Sequence, residues 1–196
     1  MMKFLLTVLA IILTPAAALA HTGVSEAAGI AHGFMHPVGG MDHVLAMVSA
    51  GVFAYMLGGR ALLLVPAAFV AMMAAGGALG MAGVPVPFVE LGIGLSIIVI
   101  GMAAALGRRM PTAAAMALVG VFAVFHGAAH GAEMPQDSSG LPYAAGFMLA
   151  TALLHVAGIA ACFAVARLIG SHGGLAARIG GGAAALAGAV TAGGAV

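Results

Sequence analysis

Tryptophan is absent from this 196-residue chain, cysteine occurs once, and only 6% of the residues are charged. Each shortage excludes something. One cysteine, Cys162, cannot build a disulfide framework or a cysteine metal cluster, and within an apolar run it reads as a buried, inert thiol. A net charge of +1, with no basic patch beside stacking aromatics, gives nucleic acid nothing to bind. Neither an HExxH metal helix nor a GxxxxGK[ST] phosphate loop occurs, so a zincin-type hydrolase and an internal ATP motor both lack their motif. Eleven charges also cannot solvate a folded surface when 64% of the residues are hydrophobic and the mean hydropathy is +1.22. Soluble domains hold roughly 45–50% apolar residues. The chain is expected to be an integral membrane protein whose partner is the lipid bilayer.

Residues 1–20 read as a signal peptide, with Lys3 as the charged start, Phe4 to Leu13 as an apolar core and Ala18-Leu19-Ala20 as a cleavage site. That core is too short for the ~30 Å of a bilayer interior. An uncleaved first helix is the alternative. Cleavage would leave residues 21–196 as a single membrane domain beginning at His21.

The fold class expected is all-α, a bundle of six transmembrane helices. Apolar runs lie at about 36–57, 61–82, 87–106, 112–132, 142–166 and 174–194, separated by glycine- and proline-rich breaks. With a cleaved signal, both termini lie outside. The odd-numbered breaks then face the cytoplasm with Arg60, Arg108, Arg109, Arg167 and Arg178 at their edges, as the positive-inside rule requires. A bacterial inner membrane with a periplasmic mature N-terminus is the expected location. The 31 glycines read mainly as close-packing positions, and the 14 methionines, scattered rather than paired, as core filler.

Against that apolar background, polar chemistry is concentrated in two places. The stretch His32–His43 reads HGFMHPVGGMDH, and on a continuous helix His32, His36 and His43 would fall within about 40° of one another. Pro37 and Gly39-Gly40 argue for a broken or late-starting helix instead, beginning near His36 and leaving His32 in a lead-in segment. The second stretch, HGAAHGAE, puts His126, His130 and Glu133 on one face of the fourth span by spacings of four and seven. Both clusters fall in the outer half of the membrane. Imidazole with carboxylate suits a divalent transition metal such as nickel, cobalt, zinc or copper(II). Ionisable groups within a membrane are costly and usually functional; hydrogen bonding between helices is the bland alternative.

HPVGGMDH at His36–His43 and FHGAAHGAE at Phe125–Glu133 resemble the two signature motifs of the HupE/UreJ family of bacterial nickel permeases, and the resemblance covers essentially the whole chain. It implies secondary transport of Ni2+, with Co2+ a further candidate, for metalloenzymes such as hydrogenase or urease. The motif positions it carries over as metal-binding are His36, Asp42, His43, His126, His130 and Glu133. No prosthetic group and no enzymatic activity are expected; the metal is cargo. A non-transporting membrane metal sensor or chaperone is the competing class, and an intramembrane metalloenzyme a weaker one.

Four further residues are weaker candidates. His21, once freed by cleavage, could chelate through its amine and ring. His32 precedes the first motif, Glu90 opens the third span, and His155 lies mid-span in the fifth, deeper than both clusters.

Overall fold

Residues 26–134 and 140–193 are described by a computed structural model, and every regular element among them is helical. Seven α-helices follow in order: α1 (Glu26–Gly39), α2 (Met41–Leu57), α3 (Ala61–Met81), α4 (Val89–Leu106), α5 (Thr112–Ala132), α6 (Gly140–Ile169) and α7 (Gly173–Gly193). A 3-10 turn at Gly170–His172 joins the last two. The expected signal segment 1–20 and His21 lie outside the described residues.

Helices α3, α4 and α5 and the segment Gly140–Val190 are each long and apolar enough to cross a membrane. The bent pair α1–α2 makes a fifth when taken as one span. The fourth expected span matches α5 at both ends, and the second exceeds α3 by one residue. Apolar runs separated by clusters of glycine and proline locate such helices well, because those clusters supply the turn chemistry between them.

The first expected span is where the structure differs. Helix does not begin near His36: it already runs from Glu26 and carries both His32 and His36. Pro37 lies in the last turn of α1, two residues before its end, so the i→i−4 hydrogen bond it cannot make is one of the last of the helix. The chain breaks at Gly40, which is extended (φ −92°, ψ 116°), and α2 leaves at a bend of 83°. His36 and His43 therefore belong to different helices, and the single-face alignment of a continuous helix does not apply.

Backbones approach closely where glycine faces glycine. Helices α3 and α5 run side by side in the same direction, and a Cβ on Gly76 would collide with the Val124 carbonyl, one on Gly131 with that of Gly77. Helix α7 returns antiparallel along α4, with Gly181 against Gly101 and Gly188 against Ile97. Without a hydrophobic force between helices in lipid, such close van der Waals contact is what holds them together. The centre is filled by Met47, Phe53, Val65, Phe69, Met73, Ile97, Ile100 and Val119, all essentially inaccessible, and the polar residues below are set among them.

Candidate metal centre

Three helix ends converge on one polar column. The last turn of α1 supplies His36 and the first turn of α2 supplies Asp42 and His43. Helix α5 presents His126 and His130 one turn apart, with Glu133 as the residue that caps it. Exposure falls along the column: the side chain of Glu133 is 57% exposed, His36 36%, His130 16%, and His43 and His126 are fully buried. The column thus runs from surface to core.

Two groups of three donors lie along it, His36–His130–Glu133 at the mouth and His43–His126–His130 beneath, each with its ligand atoms within 4.8 Å of one another. In the outer group, His36 Nε2 is 2.9 Å from His130 Nδ1 and 3.3 Å from Glu133 Oε2, and His130 Nδ1 is 3.4 Å from that same oxygen. Metal–nitrogen bonds of about 2.0–2.1 Å place neighbouring ligand atoms roughly 2.9–3.4 Å apart, from octahedral to tetrahedral angles. All three separations fall in that range. His130 links the groups through its other nitrogen, Nε2, 3.2 Å from His43 Nδ1.

Hydroxyl groups set the tautomers of the inner rings. Ser96 Oγ on α4 lies 2.6 Å from the Ile93 carbonyl and 2.8 Å from His126 Nε2. A hydroxyl has a single hydrogen, and donating it to the carbonyl makes Oγ the acceptor of an Nε2–H from His126. The lone pair of His126 is then on Nδ1, which is buried with no hydrogen-bond partner among the described residues. Thr151 on α6 does the same for His43: its Oγ1 donates to Met73 Sδ at 3.6 Å and accepts from His43 Nε2 at 3.2 Å. His43 Nδ1 is left as an acceptor facing the inner group. A ring whose far N–H is anchored and whose near nitrogen is free has the tautomer a metal requires. The Phe147 ring packs against both His43 and His130, at centroid distances of 5.2 and 4.8 Å, and fixes their orientation.

Above the column opens a vestibule of about 610 Å³, lined among others by His32, His36, Asp42, Glu90, His130 and Glu133. Three of the five acids in the chain face this space, so it is suited to gathering cations. Asp42, His32 and Glu90 thus border the mouth but belong to neither donor triad. His155 lies apart and deeper. Ser96, Thr151, Met73 and Phe147 were not singled out in the sequence; the available signal was that Ser96 and Thr151 are hydroxyls within apolar spans, where a polar side chain needs a partner.

A family profile described as HupE / UreJ protein matches residues 9–191. Protein HupE of Rhizobium leguminosarum bv. viciae is 46% identical over 184 residues, covering 93% of this chain and 94% of its own length. No solved structure matches the chain. With a match of this extent and the two histidine motifs meeting in one column, the chain belongs to the HupE/UreJ family.

Proposed function

We propose that this protein is a secondary transporter that takes up Ni2+, with Co2+ as a second substrate, across a bacterial inner membrane for metalloenzymes such as hydrogenase or urease. The observation that carries this reading is the outer donor group, whose three ligand atoms are 2.9, 3.3 and 3.4 Å apart. An exposed histidine–carboxylate set above a buried histidine set supports passage better than storage, since a storage site needs only one of them. In the proposed topology the chain crosses six times after a cleaved signal peptide, with both termini and the vestibule on the periplasmic side and the arginine-bearing turns inside.

The ion enters through the acidic vestibule and binds His36, His130 and Glu133. Transfer inward centres on His130. A neutral imidazole offers one lone pair at a time, so His130 serves the outer group through Nδ1 or the inner group through Nε2, not both. Its change of tautomer hands the ion down to His43 Nδ1 and His126 Nδ1, whose opposite nitrogens stay anchored on Thr151 and Ser96. The bend at Gly40 joins α1, which carries His36, to α2, which carries His43, and gives the outer ligand a hinge of its own. No step requires a covalent intermediate.

Proteoliposomes containing the purified protein test this reading with radiolabelled Ni2+, competed by Co2+, Zn2+ and Cu2+. Accumulation that saturates and is inhibited most by Ni2+ and Co2+ is expected. Binding without accumulation would identify a sensor or chaperone instead.

A further inference from the structure

His155 is used by neither donor group. It sits on α6 with no accessible surface, and neither ring nitrogen has a hydrogen-bond partner among the described residues. Buried polar groups are nearly always partnered, and an exception calls for a physical reason. The ordinary reason for a histidine inside a membrane helix is a hydrogen bond to a neighbouring helix, and among the described residues His155 makes none with either nitrogen.

Its neighbours indicate a role. Thr151 and His155 are four residues apart and share one face of α6; Phe69 and Met73, also four apart, share one face of α3. These faces meet. Thr151 Oγ1 touches His43 Nε2 at 3.2 Å and Met73 Sδ at 3.6 Å, and the Phe69 ring contacts His126 at a centroid distance of 5.9 Å and His155 at 5.1 Å. Two residues of the inner group, His43 and His126, are thus linked to the surroundings of His155, which is the next imidazole along the column. Its backbone is held firmly, because a Cβ on Gly51 of α2 would collide with the His155 carbonyl and one on Gly158 with that of Val48.

We propose that His155 is a third metal station, inward of both donor groups, where a divalent transition-metal ion rests before release to the opposite side. This inference rests on the transport reading above. One imidazole, approached past a hydroxyl and a thioether, binds such an ion more weakly than three convergent donors. That order is useful: an ion path must bind well enough to admit its ion and weakly enough at the far end to let it go. The Phe69 ring, between His126 and His155, is the apolar partition the ion passes.

The test uses the full chain, purified and reconstituted, with Ni2+ as probe. His155→Phe fills the same volume without a donor, and His155→Cys restores a donor of different softness. Equilibrium Ni2+ binding by His155→Phe should stay within about twofold of wild type, because both triads are intact, while initial uptake falls at least tenfold. His155→Cys should recover uptake and shift competition toward the softer Cd2+. A purely structural histidine would behave the other way, with His155→Phe transporting normally, and that result overturns the proposal. Should His155→Phe not fold, His155→Leu, which also lacks a donor, replaces it, and wild-type uptake by that variant is equally contrary. If wild-type protein accumulates no Ni2+, transport itself fails and this station with it; if wild type and His155→Phe both accumulate it, only the station falls.

Discussion

On one face of α5, Gly127 and Gly131 lie so near α3 that a Cβ on either would collide with the carbonyl of Met73 or Gly77; on another, His126 and His130 reach Ser96, His43 and His36. One face has glycine at its closest points and the other carries the donors. The difference shows how a membrane protein positions ligands where no hydrophobic force presses helices together. The glycine seam fixes the axis of α5 by close contact with α3, and that axis determines where two imidazoles and Glu133 meet the ends of α1 and α2. Ligand sets tolerate displacements of only about 0.5 Å before their geometry is lost. The seam is therefore as much a part of the centre as the rings.

The comparison breaks most severely at the residue both donor groups share. His130→Ala should lower Ni2+ uptake by more than about 100-fold, beyond the roughly 10–100-fold that loss of a ligand's supporting partner costs. His36→Ala, which leaves the inner group whole, should cost less; equal losses in vesicle uptake would show that the inner group takes up no ion without the outer one. On the opposite face, Gly127→Val forces α5 off the Met73 backbone, and overpacking of about 1–3 kcal/mol should appear as a lower melting temperature together with weakened Ni2+ binding, although no ligand is altered. Gly180→Ala in α7, where a Cβ meets nothing within 4 Å, is the control and should leave both unchanged or slightly improved.

A subtler change separates the rings from what anchors them. Ser96→Ala keeps every ligand but frees His126 Nε2, so Ni2+ affinity should drop by about 10-fold or more, as read by isothermal titration. Unaltered affinity would mean the tautomer needs no anchor.

Helix α5 was legible in the sequence to the residue, because an apolar run between Pro111 and the polar stretch after Glu133 leaves little freedom for its ends. The pairing of its motif with the His36–His43 motif was legible too, since both place scarce polar residues at the outer ends of expected spans. A broken helix in the first motif was legible from Pro37 and Gly39-Gly40, but the place of the break, at Gly40, was not. Pro37, Gly39 and Gly40 each permit a break locally, and the choice depends on α1 packing against the start of α6, where a Cβ on Gly146 would meet the Ile30 carbonyl. Spacing also put His126, His130 and Glu133 on one face, but depth separates them: His126 lies in the core and Glu133 at the surface, nearly two turns apart. The roles of Ser96 and Thr151 depend on contacts 30 and 108 residues away, which no local pattern carries.

X-ray absorption at the nickel edge, on purified protein holding one equivalent of Ni2+, addresses the histidine column most directly. Bound nickel should show nitrogen and oxygen donors with the multiple scattering of two to three imidazole rings, and His130→Ala should remove one ring from that signal. A spectrum without imidazole scattering, or one that His130→Ala leaves unchanged, would contradict a metal path built on these histidines.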